Sequence, residues 1–194
     1  MTTDNAEWLD PDQCIQTYIG AVVADASAPS TGRIVFRAIG AGYFALISWQ
    51  AFTLPDDVPG QLDFGGEVTR WGSRTGHILL GLFVGILIIA SFSLTPRIAF
   101  KNTALLNLPH KDYWTRPENW PTAQQRLRNY LSWLGALTLT FVGYAMWTVG
   151  VTATAEPPPA WAFIAATGVF LATILGYAIW MMVGPRWQPP VSRR

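Results

Sequence analysis

The chain has 194 residues, 51% hydrophobic and only 13% charged, against about 25% charged in a soluble globular domain. Its formal net charge is +1, its mean hydropathy is +0.25, and it carries ten tryptophans and one cysteine. These values exclude a disordered chain, a disulfide scaffold and a basic nucleic-acid binder, and they point to an integral membrane protein.

Residues 1–32 form an acidic tail, with Asp4, Glu7, Asp10, Asp12 and Asp25 and no Lys or Arg. No basic segment leads into an apolar run and a cleavage site, so no signal peptide is read. The apolar stretch 15–26 is too short to span, and the tail's acidity disfavours docking on an anionic leaflet. Cys14 reads as an inert thiol.

An all-α membrane domain of four transmembrane helices is expected over residues 33–185. About 20 apolar residues in a helix cross a ~30 Å hydrocarbon layer. Spans are predicted over about 38–54, 76–95, 131–153 and 160–183, and none contains Asp, Glu, Lys or Arg. Four helices buried in a soluble bundle would each keep a charged outer face, and these segments have none. Trp133 and Trp147 lie toward opposite ends of the third span, and Trp161 and Trp180 toward those of the fourth. Tryptophan prefers the interface, where its ring and its N–H are both satisfied.

The first loop, 55–75, is dense in turn residues: Pro55, Pro59, Gly60, Gly65, Gly66 and Gly72. A compact, ordered loop is expected. Asp56, Asp57, Asp63 and Glu67 would face Arg70 and Arg74, with Gln61 and Trp71 between them. One reading is a binding surface for a peptide, ion or partner. The other is a self-satisfied loop of local ion pairs with Trp71 anchored at the interface. The carboxylates lack EF-hand spacing, so no metal is predicted.

The second span carries Gly81 and Gly85, a small-xxx-small pair suited to close helix approach. In the loop after it, His110, Lys111, Asp112, Tyr113 and Trp114 form a polar-aromatic cluster read as a docking or structural element. No nucleophile or second base accompanies it, so no catalysis is expected. Pro121 suits the first turn of a helix, with Asn119 as its cap, and Arg126 and Arg128 would sit near lipid phosphates. The third and fourth spans should form a hairpin around Pro157, Pro158 and Pro159. Gly168, Ala172 and Gly176 line one ridge of the fourth span, suited to a neighbouring helix or to a homodimer.

The basic residues set the expected orientation. Eleven lie on one side: Arg33, Arg37, Arg97, Lys101, Lys111, Arg116, Arg126, Arg128, Arg186, Arg193 and Arg194. Arg70 and Arg74 alone lie on the other. The positive-inside rule puts both termini, including the basic tail 186–194, in the cytoplasm and the 55–75 loop outside.

The stretch LPDDVPGQLDFGGEVTRWGSR resembles the short uncharacterised domain at the front of SdpI-type bacterial membrane proteins. Leu54, Pro55, Val58, Pro59, Gly66, Trp71, Gly72, Ser73 and Arg74 fall in step with that pattern. Gln61 and Leu62 stand where the family carries a His-aromatic pair, and Val68 where it carries proline. The stretch NLPHKDYWTRPEN is similar to a segment of related multi-span proteins, and the likeness covers about residues 45–135. It implies a bacterial inner-membrane protein, with immunity to a secreted toxin and signalling as the family activity. SdpI itself has more spans.

No HExxH, CxxC, GxGxxG, Walker A or GxSxG motif is present. His77 and His110 fall on opposite membrane sides and cannot share a metal or haem, so no cofactor is expected. Charge-free spans also speak against a proton-coupled transporter or channel. The expected function is non-enzymatic: binding or sensing through the outer loop, with the lipid bilayer, other membrane proteins or a secreted peptide as partners and no nucleic acid. An accessory subunit of a larger membrane complex is the alternative, and a small transporter the least supported reading.

Overall fold

The computed structural model describes residues 30–63, 67–155, 157–184 and 187–188. The acidic tail with Cys14 and the 15–26 stretch, Gly65, Gly66 and Glu156, and Arg186, Arg193 and Arg194 lie outside them. The element order is α1 (Thr31–Thr53), β1 (Asp57–Leu62), β2 (Val68–Ser73), α2 (Arg74–Ala99), a 3-10 turn (Thr103–Leu105), α3 (Lys111–Trp114), α4 (Trp120–Thr154) and α5 (Ala160–Val183). Among the described residues, the four long helices are each apolar and long enough to cross a membrane.

Three helix boundaries differ from the apolar segments. Helix α1 starts at Thr31 and takes in Arg33 and Arg37. Helix α2 runs through Pro96 to Ala99. Helix α4 starts at Trp120, and its 35 residues give about 52 Å at helical rise, well beyond a ~30 Å apolar layer. Apolarity marks where a helix meets lipid, while the backbone ladder continues past that level. Pro121 occupies the first turn of α4 as expected, but Asn119 makes no side-chain cap. Its Nδ2 instead donates to Tyr113 O at 3.0 Å and ties α3 to the start of α4.

The bundle is organised by α1. Its buried residues Gly32, Phe36, Gly40, Tyr43, Ile47 and Gln50 recur every three or four positions and form one stripe. Each large member meets a glycine on a neighbour. Phe36 lies against Gly135 of α4, Tyr43 and Ile47 against Gly85 and Gly81 of α2, and Gln50 against Gly150 of α4. A Cβ at Gly81 would fall 2.7 Å from Ile47 Cδ1, and one at Gly85 would enter the Tyr43 ring. Tyr43 also donates its hydroxyl to Gly81 O at 2.7 Å. Lipid gives apolar side chains no reason to leave it, so close backbone approach and interhelical hydrogen bonds drive assembly. Gly81 and Gly85 supply that approach between α1 and α2.

Helix α5 packs on α4 through rings. Phe141 stacks on Phe170 at 4.3 Å and 7°, and Tyr130 meets Tyr177 at 5.3 Å. The predicted hairpin of the last two spans is thus present, yet α4's more extensive partner is α1. The expected seat for a neighbouring helix on Gly168, Ala172 and Gly176 is not used within the chain. All three are exposed, and a Cβ at Gly168 or Gly176 would meet nothing. The ring contacts turn this ridge outward.

The exterior suits lipid. Phe52 is 87% exposed and Trp161 70%, alongside Leu79, Phe83, Val169 and Val183. Seven threonine hydroxyls of α4 and α5 are satisfied on their own backbone: Thr138, Thr140, Thr148, Thr152, Thr154, Thr167 and Thr173 each donate to the carbonyl four residues back, at 2.7–3.0 Å. The threonines therefore leave no unpaired donor facing hydrocarbon.

Candidate functional site

Four antiparallel helices give the bundle two ends. One end holds the β1–β2 hairpin and the 157–159 turn. The other holds α3 and Trp187.

The hairpin end is built from residues 54–74. The expected ordered loop is an antiparallel ribbon, with Asp57 opposite Ser73, Val58 opposite Gly72, Pro59 opposite Trp71 and Gln61 opposite Arg70, with irregularities beside Gln61. Pro59 has no N–H to donate and Gly60 lies close to the opposite strand, so the ladder is interrupted there. Leu54 and Val58 are buried and seat the ribbon on the helices. Arg74 closes its base: Nη2 pairs with Asp56 at 2.8 Å, Nη1 donates to Leu54 O at 2.8 Å, and its N–H donates to Asp56 O at 2.8 Å. Ser73 caps α2 by accepting from Gly76 N at 3.1 Å. Leu54, Ser73 and Arg74 thus close the base of the ribbon and start α2.

The ion-pair network expected of this loop is reduced to one pair. Among the described residues Arg74–Asp56 forms, and Asp57, Asp63, Glu67 and Arg70 make no ion pair. The reason is the strand register, which puts Arg70 opposite Gln61. Asp63 closes the tip instead: its N–H donates to Glu67 O at 2.9 Å, and its carboxylate accepts from Glu67 N at 2.8 Å. Among the described residues no group of His, Cys, Asp and Glu converges to hold a metal. Trp71 is exposed on the outer side of the ribbon.

Beneath the ribbon lies a cavity of about 880 Å³, walled by β1 and the hairpin-end halves of α4 and α5. Gln61 and Asp63 reach its rim, while Tyr144, Val149, Phe163 and Ile164 make its walls apolar. Gln61 and Asp63 are thus the predicted loop residues that share a concavity. Asp56, Asp57, Glu67, Arg70 and Trp71 do not line it.

Replacing Arg74 with alanine removes the pair to Asp56 and the bond to Leu54 O together. Both side chains face solvent, so screening keeps the stability change small, about 1 kcal/mol or less. The expected result is a ribbon detached from the helices, read as faster hydrogen exchange over 57–73 with unchanged exchange in α1 and α4.

The opposite end carries a second core. Leu106, Leu108, Trp114, Ala123, Leu127, Tyr130 and Trp187 form one buried cluster. Trp114 donates its indole N–H to Trp187 O at 2.8 Å, its ring meets Trp187 at 5.5 Å, and Arg126 stacks 4.7 Å above it. Trp114, in the cluster read as a docking or structural element, is turned inward as core. His110 stands at φ 51 and precedes α3. Lys111 Nζ donates to Ala104 O at 3.4 Å, and Tyr113 lies edge-on to Trp114 at 5.0 Å. Asp112 stays exposed in the first turn of α3. The cluster shapes the loop, and His110 with Asp112 remains on its surface.

Sequence reasoning passed over one polar node. Gln50, fully buried, donates through Nε2 to Met146 O at 2.8 Å, and its Oε1 lies 3.2 Å from His77 Nε2. With the amide turned this way, the proton sits on His77 Nε2. Three helices meet there, directly below the ribbon. The signal was present, since a glutamine inside an apolar span needs an internal partner.

No family model, curated protein or solved structure matches the chain.

Proposed function

We propose that the chain is a non-enzymatic, multi-pass protein of a bacterial inner membrane that binds its ligand at the hairpin end, in the manner of SdpI-type immunity or signalling proteins. The observation that carries this reading is the 880 Å³ cavity between ribbon and helices. Apolar walls with a polar rim suit an amphipathic segment of a secreted, membrane-active peptide. In this reading both termini are cytoplasmic and the ribbon faces outward, following the eleven-to-two distribution of basic residues.

Deleting the gene should sensitise cells to at least one secreted envelope-active peptide, and the wild-type chain should restore resistance. Thr167 lines the cavity from α5. Thr167→Trp should reach normal abundance and fail to protect. Unchanged sensitivity across such peptides on deletion ends the immunity reading, and full protection by Thr167→Trp removes the cavity from it. Reporter fusions at the two termini should both report the cytoplasm.

A second reading, accessory subunit of a larger membrane complex, is favoured by α5, no residue of whose membrane-length stretch is fully buried within the chain. A cysteine at Gly168 or Gly176 that cross-links to another protein in native membranes would support it.

A further inference from the structure

At the end of the bundle opposite the ribbon, a cavity of about 490 Å³ opens between α1, α2 and α4. Four arginines from three helices line it: Arg33 and Arg37 of α1, Arg97 of α2 and Arg128 of α4. Among the described residues no Asp or Glu lines it. Its inner wall is apolar, with Phe36, Phe44, Ile89 and Phe92, and Gly40 and Ala41 keep the α1 side shallow. Arg37 to Phe44 spans about 10 Å along the helix axis, so the charged mouth and the apolar wall lie at successive depths.

A guanidinium stays protonated at any physiological pH. An excess of basic residues at one end of a bundle needs only the positive-inside rule, but that rule does not collect them around one concavity. Arg128 lies 5.1 Å over the Phe100 ring. That contact supplies no negative charge. A small soluble anion would satisfy the arginines and leave the aromatic wall wet. A ligand with a phosphate at one end and hydrocarbon at the other satisfies both. We propose that this cavity binds an anionic phospholipid from the adjoining leaflet, its phosphate among Arg37, Arg97 and Arg128 and its first acyl segment against Phe36, Phe44 and Phe92.

The test uses the full chain in detergent, with lipid retention read by native mass spectrometry. Phosphatidylglycerol should stay bound, phosphatidylcholine of the same chains should not, and glycerol phosphate should fail to displace the lipid. Arg37→Gln with Arg97→Gln should weaken retention about 25-fold, from the roughly fivefold per arginine that ~1 kcal/mol per basic residue corresponds to. Arg116→Gln removes a charge at the same end outside the cavity and should change retention less than about twofold. Ala41→Trp and Ser93→Trp fill the cavity from two helices without touching its arginines, and either folded variant should lose the lipid. Equal retention of the two lipids overturns the proposal. So does displacement by glycerol phosphate, which would mark a soluble-anion site. So does undiminished retention in a folded tryptophan variant, which would mark general surface attraction.

Discussion

Trp187→Ala should destabilise the α3 end of the protein by about 2–4 kcal/mol. Deleting a buried Trp side chain costs about 3–5 kcal/mol through lost transfer energy and the void left behind. Trp187 is wholly buried and holds Trp114 and Tyr130 at ring distances of 5.5 and 6.0 Å. Part of the cost is offset, because the indole N–H of Trp187 is buried with no hydrogen-bond partner among the described residues. An orphaned buried donor carries a penalty of about 1–3 kcal/mol, and the substitution removes it. Trp187→Phe separates the two contributions. It keeps a ring in the cluster and discards the orphan, so its stability should stay within about 1 kcal/mol of the parent. The measurement is tryptic cleavage after Lys111 in detergent, at the start of α3. Alanine should accelerate it and phenylalanine leave it near the parent rate. Equal acceleration by both would mean that the N–H has a partner and that the ring is not what holds this end closed.

That cluster also shows where sequence reading stops. The spans were legible because lipid imposes a length and a composition on each helix separately. The spacing of Gly81 and Gly85 was legible because close approach demands small residues four apart. The identity of the residues pressed against them was not, since which helix meets Gly85 depends on the bundle's arrangement. The same pattern at Gly168 and Gly176 meets nothing within the chain, so an identical local signal has two outcomes. The ribbon was legible as order but not as strand pairing. Its ion pairs were misassigned because charge content says nothing about register, and the register sets Arg70 against Gln61. Gln61 and Asp63 earned a place beside a cavity only through β1 lying over α4 and α5. The arginine-lined cavity was invisible for the same reason: its four arginines are separated by up to 95 positions in sequence and share a concavity only after three helices converge.

Gly150→Leu should be the other severe substitution, because it acts on the Gln50–His77 node from the outside. A Cβ at Gly150 would lie 2.5 Å from Gln50 Nε2 and 3.6 Å from Leu54 Cδ2. A leucine there displaces the amide and adds bulk to a filled helix crossing. Overpacking costs about 1–3 kcal/mol. Displacing Gln50 leaves Met146 O and His77 Nε2 without it, and buried groups so orphaned cost about 1–3 kcal/mol in proteins generally, less where a membrane-embedded reference state finds other partners. A combined loss of about 2–5 kcal/mol is expected. Gln50→Ala alone loses the hydrogen bonds without the clash, at about 1–3 kcal/mol. In the double variant the leucine finds the space the amide left, so its additional cost should fall below about 1 kcal/mol, a coupling of the size seen between residues in direct contact. The cycle is read by thermal unfolding in one detergent. Additive losses would show that Gln50 and Gly150 do not meet, and would separate the polar node from the packing that holds α1 against α4. Strong coupling would instead make Gly150 the residue that lets a glutamine bond across three apolar helices, directly beneath the ribbon that closes the hairpin-end cavity.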